Sequence, residues 1–352
     1  MRACQFGRAL IFYKFHSKMT YMPKISVVMC TYNGGKYLKE QLDSILEQSY
    51  PVDEIIIQDD CSTDDTVDIL RGYEKKYDNI HVYVNEKNLG FTENFWSVLG
   101  RAVNEYIAIS DQDDIWLSDK IERQMNKIGD KFLCGGRSVP FSTTGVSIRV
   151  DSREPNCHLL RAIFMGCIDG HTMLIRKSLL DMVPVDERGK KYTFCSYDAM
   201  LTIVAAAYEG ITYINEPLVY HRRYVGAATY SAPSDNKKTI GNIIRTTFRT
   251  FKLYIELRPV LSERMQWMNI LLRKIKSDKQ ILREAIELTD YMSREEGGLR
   301  GLINFLHIEI LCIRHCDKLF YVPLKKNFTT ILRGGYFPIY RSEYMRYKRR
   351  KH

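Results

Sequence analysis

The segment Tyr106-Ile107-Ala108-Ile109-Ser110-Asp111-Gln112-Asp113-Asp114-Ile115-Trp116 joins a short apolar run to an acidic cluster. The run from Tyr106 to Ile109 predicts a buried strand, and three carboxylates follow it within a span of four residues. Carboxylates this close repel one another unless a cation lies among them. Mg²⁺ or Mn²⁺ suits this position, because such an ion takes one or two protein carboxylates and completes its coordination with water and phosphate oxygens. An acidic loop without a ligand is the alternative interpretation.

Three further apolar runs precede this segment, and each is followed by a polar turn and an amphipathic helix. The runs are residues 25–30, 54–58 and 81–85, and the helices after them carry apolar side chains at helical spacing. Strands that alternate with helices predict a parallel sheet, wound right-handedly, with helices on its faces. The predicted fold class is therefore α/β, with a mostly parallel, Rossmann-like sheet.

Polar residues stand at the carboxyl end of every predicted strand. They are Thr31-Tyr32-Asn33, Asp59-Asp60, Asn88 and Asp111-Gln112-Asp113. In open α/β sheets ligands bind in the crevice at this edge, so we expect these clusters to converge on one binding site. A dinucleotide-binding oxidoreductase shares the alternation of elements, but the turn from Thr31 to Lys36 lacks the GxGxxG fingerprint.

The charge of this 352-residue chain is unevenly distributed. Residues 241–352 contain 23 Lys and Arg against 11 Asp and Glu, a net charge of +12, whereas residues 1–240 carry −2 of the formal total of +10. The nine cysteines form no CxxC pair and no metal-finger spacing, which predicts reduced thiols in a cytoplasmic protein. No apolar run reaches the roughly 18 residues that span a bilayer.

Three regions are predicted along the chain. Residues 1–22 are expected to be a disordered or overlong N-terminal extension, residues 23–232 the sheet domain, and residues 233–352 a basic α-helical C-terminal extension. Residues 131–165, rich in Gly, Ser and Thr, are predicted to form a loop or irregular strands that line the second half of the crevice. An apolar helical stripe that begins at Ile243 is expected to break at Pro259.

Four motifs together resemble the family 2 glycosyltransferases, which have the GT-A fold. They are residues 25–34 (ISVVMCTYNG), residues 58–64 (QDDCSTD), Asn88-Leu89-Gly90, and residues 110–116 (SDQDDIW). The chain is most similar to the rhamnosyltransferase-like bacterial members. The resemblance covers about residues 23–230, and it implies that residues 23–232 form a GT-A catalytic domain.

The resemblance matches Asp111-Gln112-Asp113 to the DxD signature of the family. It implies that Asp113 binds a Mn²⁺ or Mg²⁺ ion between the two donor phosphates, with Asp111 supporting at the metal or the ribose. Such an ion neutralises the charge that develops on the leaving nucleoside diphosphate. Asp114 is expected to be a turn or helix-capping residue.

The resemblance also implies a larger set of side chains for nucleotide-sugar binding. The set comprises Thr31, Tyr32, Asn33, Asp60, Asn88, Asp111, Gln112 and Arg222. Asp60 matches the acid that holds the base or ribose, and Thr31 with Tyr32 matches the segment that packs on the base. A tyrosine ring can stack on a planar base. The alternative is that Tyr32 caps the core.

Asp198 matches the catalytic base of the family. In inverting transfer a carboxylate removes the proton of the acceptor hydroxyl as that hydroxyl attacks the anomeric carbon. An N-cap of the helix that follows is the alternative role for Asp198.

Two positions depart from the family pattern. Cys61 stands where relatives commonly have glycine, which gives the turn access to positive φ. Tyr224 stands in register with a histidine that faces the metal or the diphosphate in many relatives, and His221 lies three residues earlier. Which of His221, Arg222, Arg223 and Tyr224 contacts the diphosphate is therefore open, although arginine suits it by charge and bidentate geometry.

The predicted function is inverting transfer of a sugar to a glycan or lipid-linked acceptor in cell-surface polysaccharide synthesis. The donor would be a nucleotide-diphosphate sugar of the UDP-hexose or dTDP-rhamnose type. A catalytically inactive nucleotide-sugar-binding or scaffolding protein on the same fold is the alternative from another class. For the basic region we expect peripheral contact with the inner face of the cell membrane, or else a helical cap on the catalytic domain. Nucleic acid is not expected, because no recognised nucleic-acid module accompanies the basic residues.

Overall fold

The computed structural model describes residues 22–319, except 147, 149, 151–152, 167, 189–194, 226–253 and 295–297. The predicted N-terminal extension up to residue 21 lies outside the described residues. So do the boundary at residues 232–233 and the start of the stripe at Ile243. The division of the chain into regions therefore stays a prediction.

The described residues form strands and helices in alternation. The strands are β1 (Ile25–Thr31), β2 (Glu54–Asp59), β3 (Ile80–Val84), β4 (Tyr106–Ser110), β5 (Ile115–Trp116), β6 (Leu133–Phe141), β7 (Leu174–Arg176) and β8 (Ile211–Arg222). The helices are α1 (Gly35–Leu46), α2 (Thr66–Lys76), α3 (Phe91–Arg101), α4 (Lys120–Ile128), α5 (Leu159–Met165), α6 (Ser178–Met182), α7 (Tyr197–Ala207), α8 (Tyr254–Lys274), α9 (Gln280–Met292), α10 (Gly298–Arg314) and α11 (Cys316–Leu319).

The first four strands form the parallel half of one sheet, in the order β3-β2-β1-β4. Strand β1 lies between β2 and β4, with Val27 opposite Ile55 on one side and Ala108 on the other. These strands are buried on both faces, which explains their nearly continuous apolar sequences. The α/β fold class predicted from the sequence is confirmed.

The sheet continues from β4 in the order β7-β6-β8-β5. Strand β7 is antiparallel to β4 and β6, whereas β8 runs parallel to β6. The prediction of a loop or irregular strands at residues 131–165 is confirmed in part: β6 shifts its register with β8 on both sides of Arg137, and the described residues between β6 and α5 form no regular element. The helix α5 was not predicted. Glycines suggested a loop, but a Cβ at Gly135 would lie 2.7 Å from Ile168, and one at Gly136 would lie 2.1 Å from Leu218. These glycines therefore permit close packing inside a strand.

Apolar side chains alternate between the two faces of the sheet and contribute to two cores. On β1, Val28 belongs to the core that contains α3, α5 and α7, whereas Val27 and Met29 belong to the core that contains α1 and α4. This alternation is the period-two pattern of a strand. The two cores fix the sheet from both sides, so that the carboxyl ends of β1, β2 and β4 form one edge.

The C-terminal helices pack on the same side of the sheet as α5 and α7. Met265, Met268 and Leu272 of α8 are buried in that core. The prediction that the helix breaks at Pro259 is wrong, because α8 contains this proline in its second turn. Proline removes one backbone hydrogen bond there, and the buried turns that follow offset this loss. Among the helices in the described ranges, none has the length and apolar character needed to cross a membrane.

Cys61 has left-handed backbone geometry in the turn after β2. Its φ is +69°, and the Asp59 carboxylate accepts hydrogen bonds from the backbone N–H and the hydroxyl of Ser62. These bonds hold the turn in a conformation that an L side chain rarely adopts. The positive φ expected from the glycine of relatives is therefore confirmed.

We predict that the free energy of unfolding of Cys61→Gly exceeds that of Cys61→Ala by about 0.5–1 kcal/mol. Glycine avoids the strain of the left-handed backbone, and the larger conformational entropy that it gives the unfolded chain offsets only part of this gain. Chemical denaturation of both variants measures the difference. At Lys39, exposed in α1, the same pair should show the opposite order, since helix interiors favour alanine. Equal free energies of unfolding for the two Cys61 variants would show that the positive φ at this position causes no strain.

Lys120 is fully buried at the start of α4. Its Nζ donates to Gln124 Oε1 at 3.0 Å and lies 3.7 Å from the centre of the Trp116 ring. The Gln124 amide in turn donates to the carbonyls of Cys134 and Thr172, so it connects α4 to β6 and to the short turn Gly170–Thr172. Burial lowers the pKa of Lys120 to about 7, because the ammonium has lost its hydration.

Between about pH 7 and 10.5 the unfolded chain keeps the Lys120 proton that the folded chain releases, so this group makes stability rise with pH. We predict that the free energy of unfolding gains about 2 kcal/mol from this group between pH 7 and 9, and that Lys120→Met loses this gain. Denaturant titrations across this pH range measure it. The exposed neighbour Lys127, changed to Met, is the control. If the free energy of unfolding depended on pH in the same way in the wild type and in Lys120→Met, the lowered pKa of Lys120 would be refuted.

Candidate active site

The carboxyl ends of β1 and β2 are joined by hydrogen bonds. Thr31 is buried, and its hydroxyl donates to Asp59 Oδ2 at 2.8 Å. Asn33 donates its backbone N–H to Ser62 Oγ and accepts the backbone N–H of Thr63 at its side-chain oxygen, each at 2.8 Å. The predicted residues Thr31 and Asn33 therefore shape the wall of the crevice through bonds within the protein.

Gln112 connects the end of β4 to the end of β1. Its side-chain oxygen accepts the backbone N–H of Tyr32 at 2.8 Å, and its amide donates to the Tyr32 carbonyl at 3.1 Å. A Cβ at Gly34 would lie 2.2 Å from this amide, so a glycine is needed beside it. The Tyr32 ring is 49% exposed at the crevice, where it is available for stacking.

Asp60 organises the loop between β3 and α3. Its carboxylate accepts the backbone N–H groups of Leu89 and Gly90 at 2.7 and 2.8 Å, as well as the side-chain amide of Asn85. Asn88 donates to the Asp60 carbonyl at 3.1 Å. The structure thus brings Asp60 and Asn88 together as predicted, with the Asp60 carboxylate buried against this loop.

The carboxylates of Asp111, Asp113 and Asp114 crowd together after β4. Burial and then the charges of Asp114 and Asp113 raise the pKa of Asp111 well above its ordinary value. Burial and Asp114 likewise raise the pKa of Asp113. Neighbouring carboxylates repel one another when ionised, and Asp111 and Asp113 remain partly exposed, so a cation can reach them and relieve the repulsion.

Asp114 is the fully buried member of the acidic cluster. Its Oδ1 accepts the backbone N–H of Arg222 at 3.0 Å and lies 3.0 Å from His221 Nδ1. Burial alone would raise the pKa of Asp114, but His171, His221 and the Arg222 N–H together hold it below its ordinary value. The expectation of a turn or capping residue is therefore corrected: Asp114 fastens the acidic segment to the end of β8.

Arg222, at the end of β8, joins the acidic segment to α1. The buried Arg222 donates from Nε to the Asp113 carbonyl at 2.9 Å and from Nη2 to Glu40 at 2.7 Å, and its guanidinium packs over the rings of Tyr37 and Phe141. These bonds make Arg222 a support of the acidic loop. Its predicted contact with the diphosphate stays a prediction.

Tyr224 contacts the residue predicted to bind the metal. Its hydroxyl donates to Asp113 Oδ2 at 2.8 Å, which raises the pKa of the Tyr224 phenol together with burial. The sequence register that matched Tyr224 to the histidine of relatives is thus consistent with its position. A phenol can orient the Asp113 carboxylate there, whereas Oδ1 of Asp113 accepts no hydrogen bond within the described residues.

His171 and His221 stack face to face next to Asp114, with ring centres 4.5 Å apart. One ligand atom from each of Asp114, His171 and His221 lies within 4.8 Å of the others. Asp114 Oδ2 and His171 Nε2 are buried without a hydrogen-bond partner in the part of the chain that the structure describes. A carboxylate with two imidazoles is a donor set that suits a divalent transition metal.

Asp198 lies in the first turn of α7, one residue after the turn begins. Its Oδ1 accepts hydrogen bonds from the Ser196 hydroxyl and from the Ala199 backbone N–H, whereas Ser196 occupies the N-cap position. Burial raises the pKa of Asp198, and the charge of Asp169 adds to this effect against the two hydrogen bonds. A Cβ at Gly170 would lie 3.4 Å from Asp198, and the next residue, His171, has its Nδ1 3.7 Å from Asp111 Oδ2, so Asp198 and Asp111 lie near the same short turn.

Sequence reasoning missed the pairings that cross the crevice. Glu40 was not assigned to the site, Asp114 was expected only in a turn or cap, and His221 was one of four candidates for the diphosphate. The stacking of His171 on His221 was not predicted. The only signal in the sequence was residue type, because His171 and His221 are 50 positions apart and belong to different elements.

The family model that matches this chain extends from β1 to the end of α6. Residues 26–183 match the model described as glycosyl transferase family 2. The putative teichuronic acid biosynthesis glycosyltransferase TuaG of Bacillus subtilis is 41% identical over 133 residues, 38% of this chain and 50% of TuaG. The dTDP-rhamnosyl transferase RfbG of Shigella flexneri is 39% identical over 103 residues, 28% of this chain and 36% of RfbG. The match therefore spans half or less of these curated relatives.

A solved structure gives the same fold over nearly the whole chain. Residues 1–349 of S. aureus TarS, in complex with UDP-GlcNAc, align with a TM-score of 0.52 and 16% identity, over 93% of this chain and 92% of that one. At this identity the likeness concerns the fold alone, and it agrees with the curved α/β sheet described above. Residues 26–183 thus match glycosyl transferase family 2, and the architecture of the described residues is that of the GT-A fold.

Proposed function

We propose that this protein transfers a sugar, with inversion at the anomeric carbon, from a nucleotide-diphosphate donor to a glycan or lipid-linked acceptor. The observation that supports the proposal most is the meeting of the acidic cluster after β4 with Asp198 in one crevice of a GT-A fold. UDP-hexose and dTDP-rhamnose are the proposed donor types. A role in cell-surface polysaccharide synthesis agrees with the names of TuaG and RfbG.

The residues of the crevice fit a divalent cation. Asp111 and Asp113 supply carboxylates whose mutual repulsion a cation relieves, and the Oδ1 atom of Asp113 accepts no bond from a described residue. We therefore propose that Asp113, with support from Asp111, holds Mn²⁺ or Mg²⁺ with the donor. The ion, when bound, neutralises charge on the departing diphosphate.

We propose that the nucleoside binds along the ends of β1 and β2. The exposed ring of Tyr32 offers a stacking surface for the base, and the bonds of Gln112 to its backbone hold this segment in place. Thr31, Asn33, Asp60 and Asn88 would then act mainly by fixing the walls of this pocket, because their polar groups bond within the protein.

Asp198 is the proposed general base. Its raised pKa brings the carboxylate closer to the range in which it can take a proton from an acceptor hydroxyl, and two hydrogen bonds to Oδ1 fix its orientation. These bonds leave Oδ2 for the substrate. A catalytically inactive nucleotide-sugar sensor is not favoured, and it would bind donor without releasing diphosphate in the presence of any glycan acceptor.

We further propose that the basic C-terminal region contacts an anionic membrane surface. Its net charge of +12 over residues 241–352 supplies the electrostatic attraction, which salt would weaken. Flotation with anionic vesicles at low and high salt is the direct measurement.

We predict that Asp113→Asn weakens Mn²⁺-dependent binding of the nucleotide donor by at least roughly tenfold, because the amide carries no charge for the cation. Calorimetric titration of UDP and dTDP with and without Mn²⁺ measures the change, and Mn²⁺ binding by electron paramagnetic resonance gives a second readout. Asp130→Asn, a change to a 90% exposed carboxylate, is the matched control. Unchanged Mn²⁺ dependence in Asp113→Asn would exclude this residue as the ligand.

We predict that Asp198→Asn keeps donor affinity and loses roughly 10²–10⁴-fold in the rate of diphosphate release with acceptor, because the amide cannot accept the proton. Single-turnover measurement with a panel of glycan acceptors tests the rate, and calorimetry tests the affinity. Near-normal turnover in this variant would remove the base assignment. Loss of donor binding in the same variant would instead indicate a structural role at the start of α7.

A further inference from the structure

Helix α10 has two apolar faces, and only one of them is covered by the described part of the protein. The inner face packs into the core that it shares with α8 and α9 and includes Ile308, Leu311 and Cys312. The outer face carries five aliphatic side chains that are between 39% and 73% exposed. These five residues, the outer stripe, are Leu299, Ile303, Leu306, Ile310 and Ile313.

The outer stripe has the spacing of a coiled-coil seam. Its members follow one another at intervals of four, three, four and three residues, which confines them to an arc of about 80° on a helix of 3.6 residues per turn. In this heptad Ile303 and Ile310 take the a positions, and Leu299, Leu306 and Ile313 take the d positions. Isoleucine at a with leucine at d favours two-stranded pairing.

Such a stripe is unfavourable in water. Five neighbouring aliphatic side chains form a patch on the order of 400–500 Å², which is near the largest that soluble monomers expose. Within the described residues no side chain covers it, since every member stays more than a third exposed. The stripe is also independent of the crevice, because its residues take no part in the acidic cluster or its supports.

We propose that the outer stripe is the interface of a homodimer, in which α10 of one copy packs along α10 of a second copy. The narrow arc and the a and d residue types fit the ridge of an identical helix. Two copies would bury on the order of 800–1,000 Å² in total, which is the size of weak, transient interfaces, so we expect a dimer that dissociates on dilution. Both copies would use the same surface, as a twofold axis requires.

Two other occupants fit the stripe less well. A membrane-bound helix usually presents a wider apolar face bordered by several cations, whereas Arg300 and Arg314 are the exposed cations on the described part of α10. The following segment, residues 320–352, contains Pro323, Gly334, Gly335 and Pro338 and repeats no aliphatic heptad in its sequence. A second copy of α10 supplies the matching seam.

Leu306 is the best position at which to test the proposal. It is the middle member of the stripe, so a twofold axis brings it next to its own copy whether the helices run parallel or antiparallel. Leu299, at one end, meets its own copy only in the parallel arrangement. Cysteine substitution at these two positions therefore reports both the pairing and its direction.

Analytical ultracentrifugation of the full chain tests the proposal. The wild type should sediment as a dimer at tens of micromolar, and Leu306→Glu and Ile310→Glu should sediment as monomers with unchanged thermal unfolding at low concentration. Ile270→Glu, a change at a 51% exposed isoleucine of α8, is the matched control and should remain dimeric. A wild type that is monomeric throughout this range would overturn the proposal.

Cross-linking gives the second measurement. Under mild oxidation Leu306→Cys should yield a reducible dimer well above the level of the parent chain, which has nine cysteines, and of the control Ile270→Cys. Cross-linking at the level of the parent would overturn the proposal. A monomeric wild type that loses binding to anionic vesicles through Leu306→Glu would overturn it in favour of a lipid surface. If Leu306→Cys is monomeric, and its new thiol reacts with thiol reagents only after residues 320–352 are removed, the proposal would be overturned in favour of that segment.

Discussion

The buried carboxylate of Asp114 is the constraint on which the site depends. A charge without solvent must be compensated within the protein, and here the partners come from the end of β8, more than a hundred residues away. The Arg222 backbone and His221 fix Asp114, so the segment that carries Asp111 and Asp113 is attached on both sides: to β4 by the chain and to β8 by these bonds. Their positions are thereby set before any ligand arrives.

This arrangement divides the charges of the crevice into two groups. Arg222 is committed to Glu40 and to the Asp113 carbonyl, and Asp114 is committed to His221 and the Arg222 N–H. Asp111 has the His171 Nδ1 atom 3.7 Å from its Oδ2, and Asp113 accepts the Tyr224 hydroxyl, but burial and the neighbouring carboxylates still raise the pKa values of both acids. His171, His221 and the Arg222 N–H lower the pKa of Asp114 against the effect of its burial. The uncompensated charge therefore faces the crevice, where a cation and a diphosphate can share it.

The sequence predicted the half of the fold whose strands are continuous in apolar character, and it predicted less of the half where they are not. Strands β1 to β4 follow from buried runs, and their polar ends identified the crevice. Strand β6 was predicted only as a loop or irregular strands, because Gly135 and Gly136 serve tertiary packing, a reason that local pattern does not contain. Pro259 led to the wrong prediction of a helix break, because the burial of later turns outweighs the one hydrogen bond that proline removes. Asp114, His171 and His221 meet only through the topology of the sheet.

Position 224 holds a tyrosine where the resemblance leads us to expect a histidine, and the two side chains differ in how they can bind a cation. A phenol donates one hydrogen bond to Asp113 but stays neutral and is a poor metal donor, whereas an imidazole can bind a cation through nitrogen. In this chain the imidazoles lie instead at His171 and His221, beside the adjacent Asp114. These two imidazoles therefore lie beside Asp114, one position along the acidic segment from Asp113. Asp113 keeps its full charge toward the crevice, and the histidines stabilise the carboxylate that positions it.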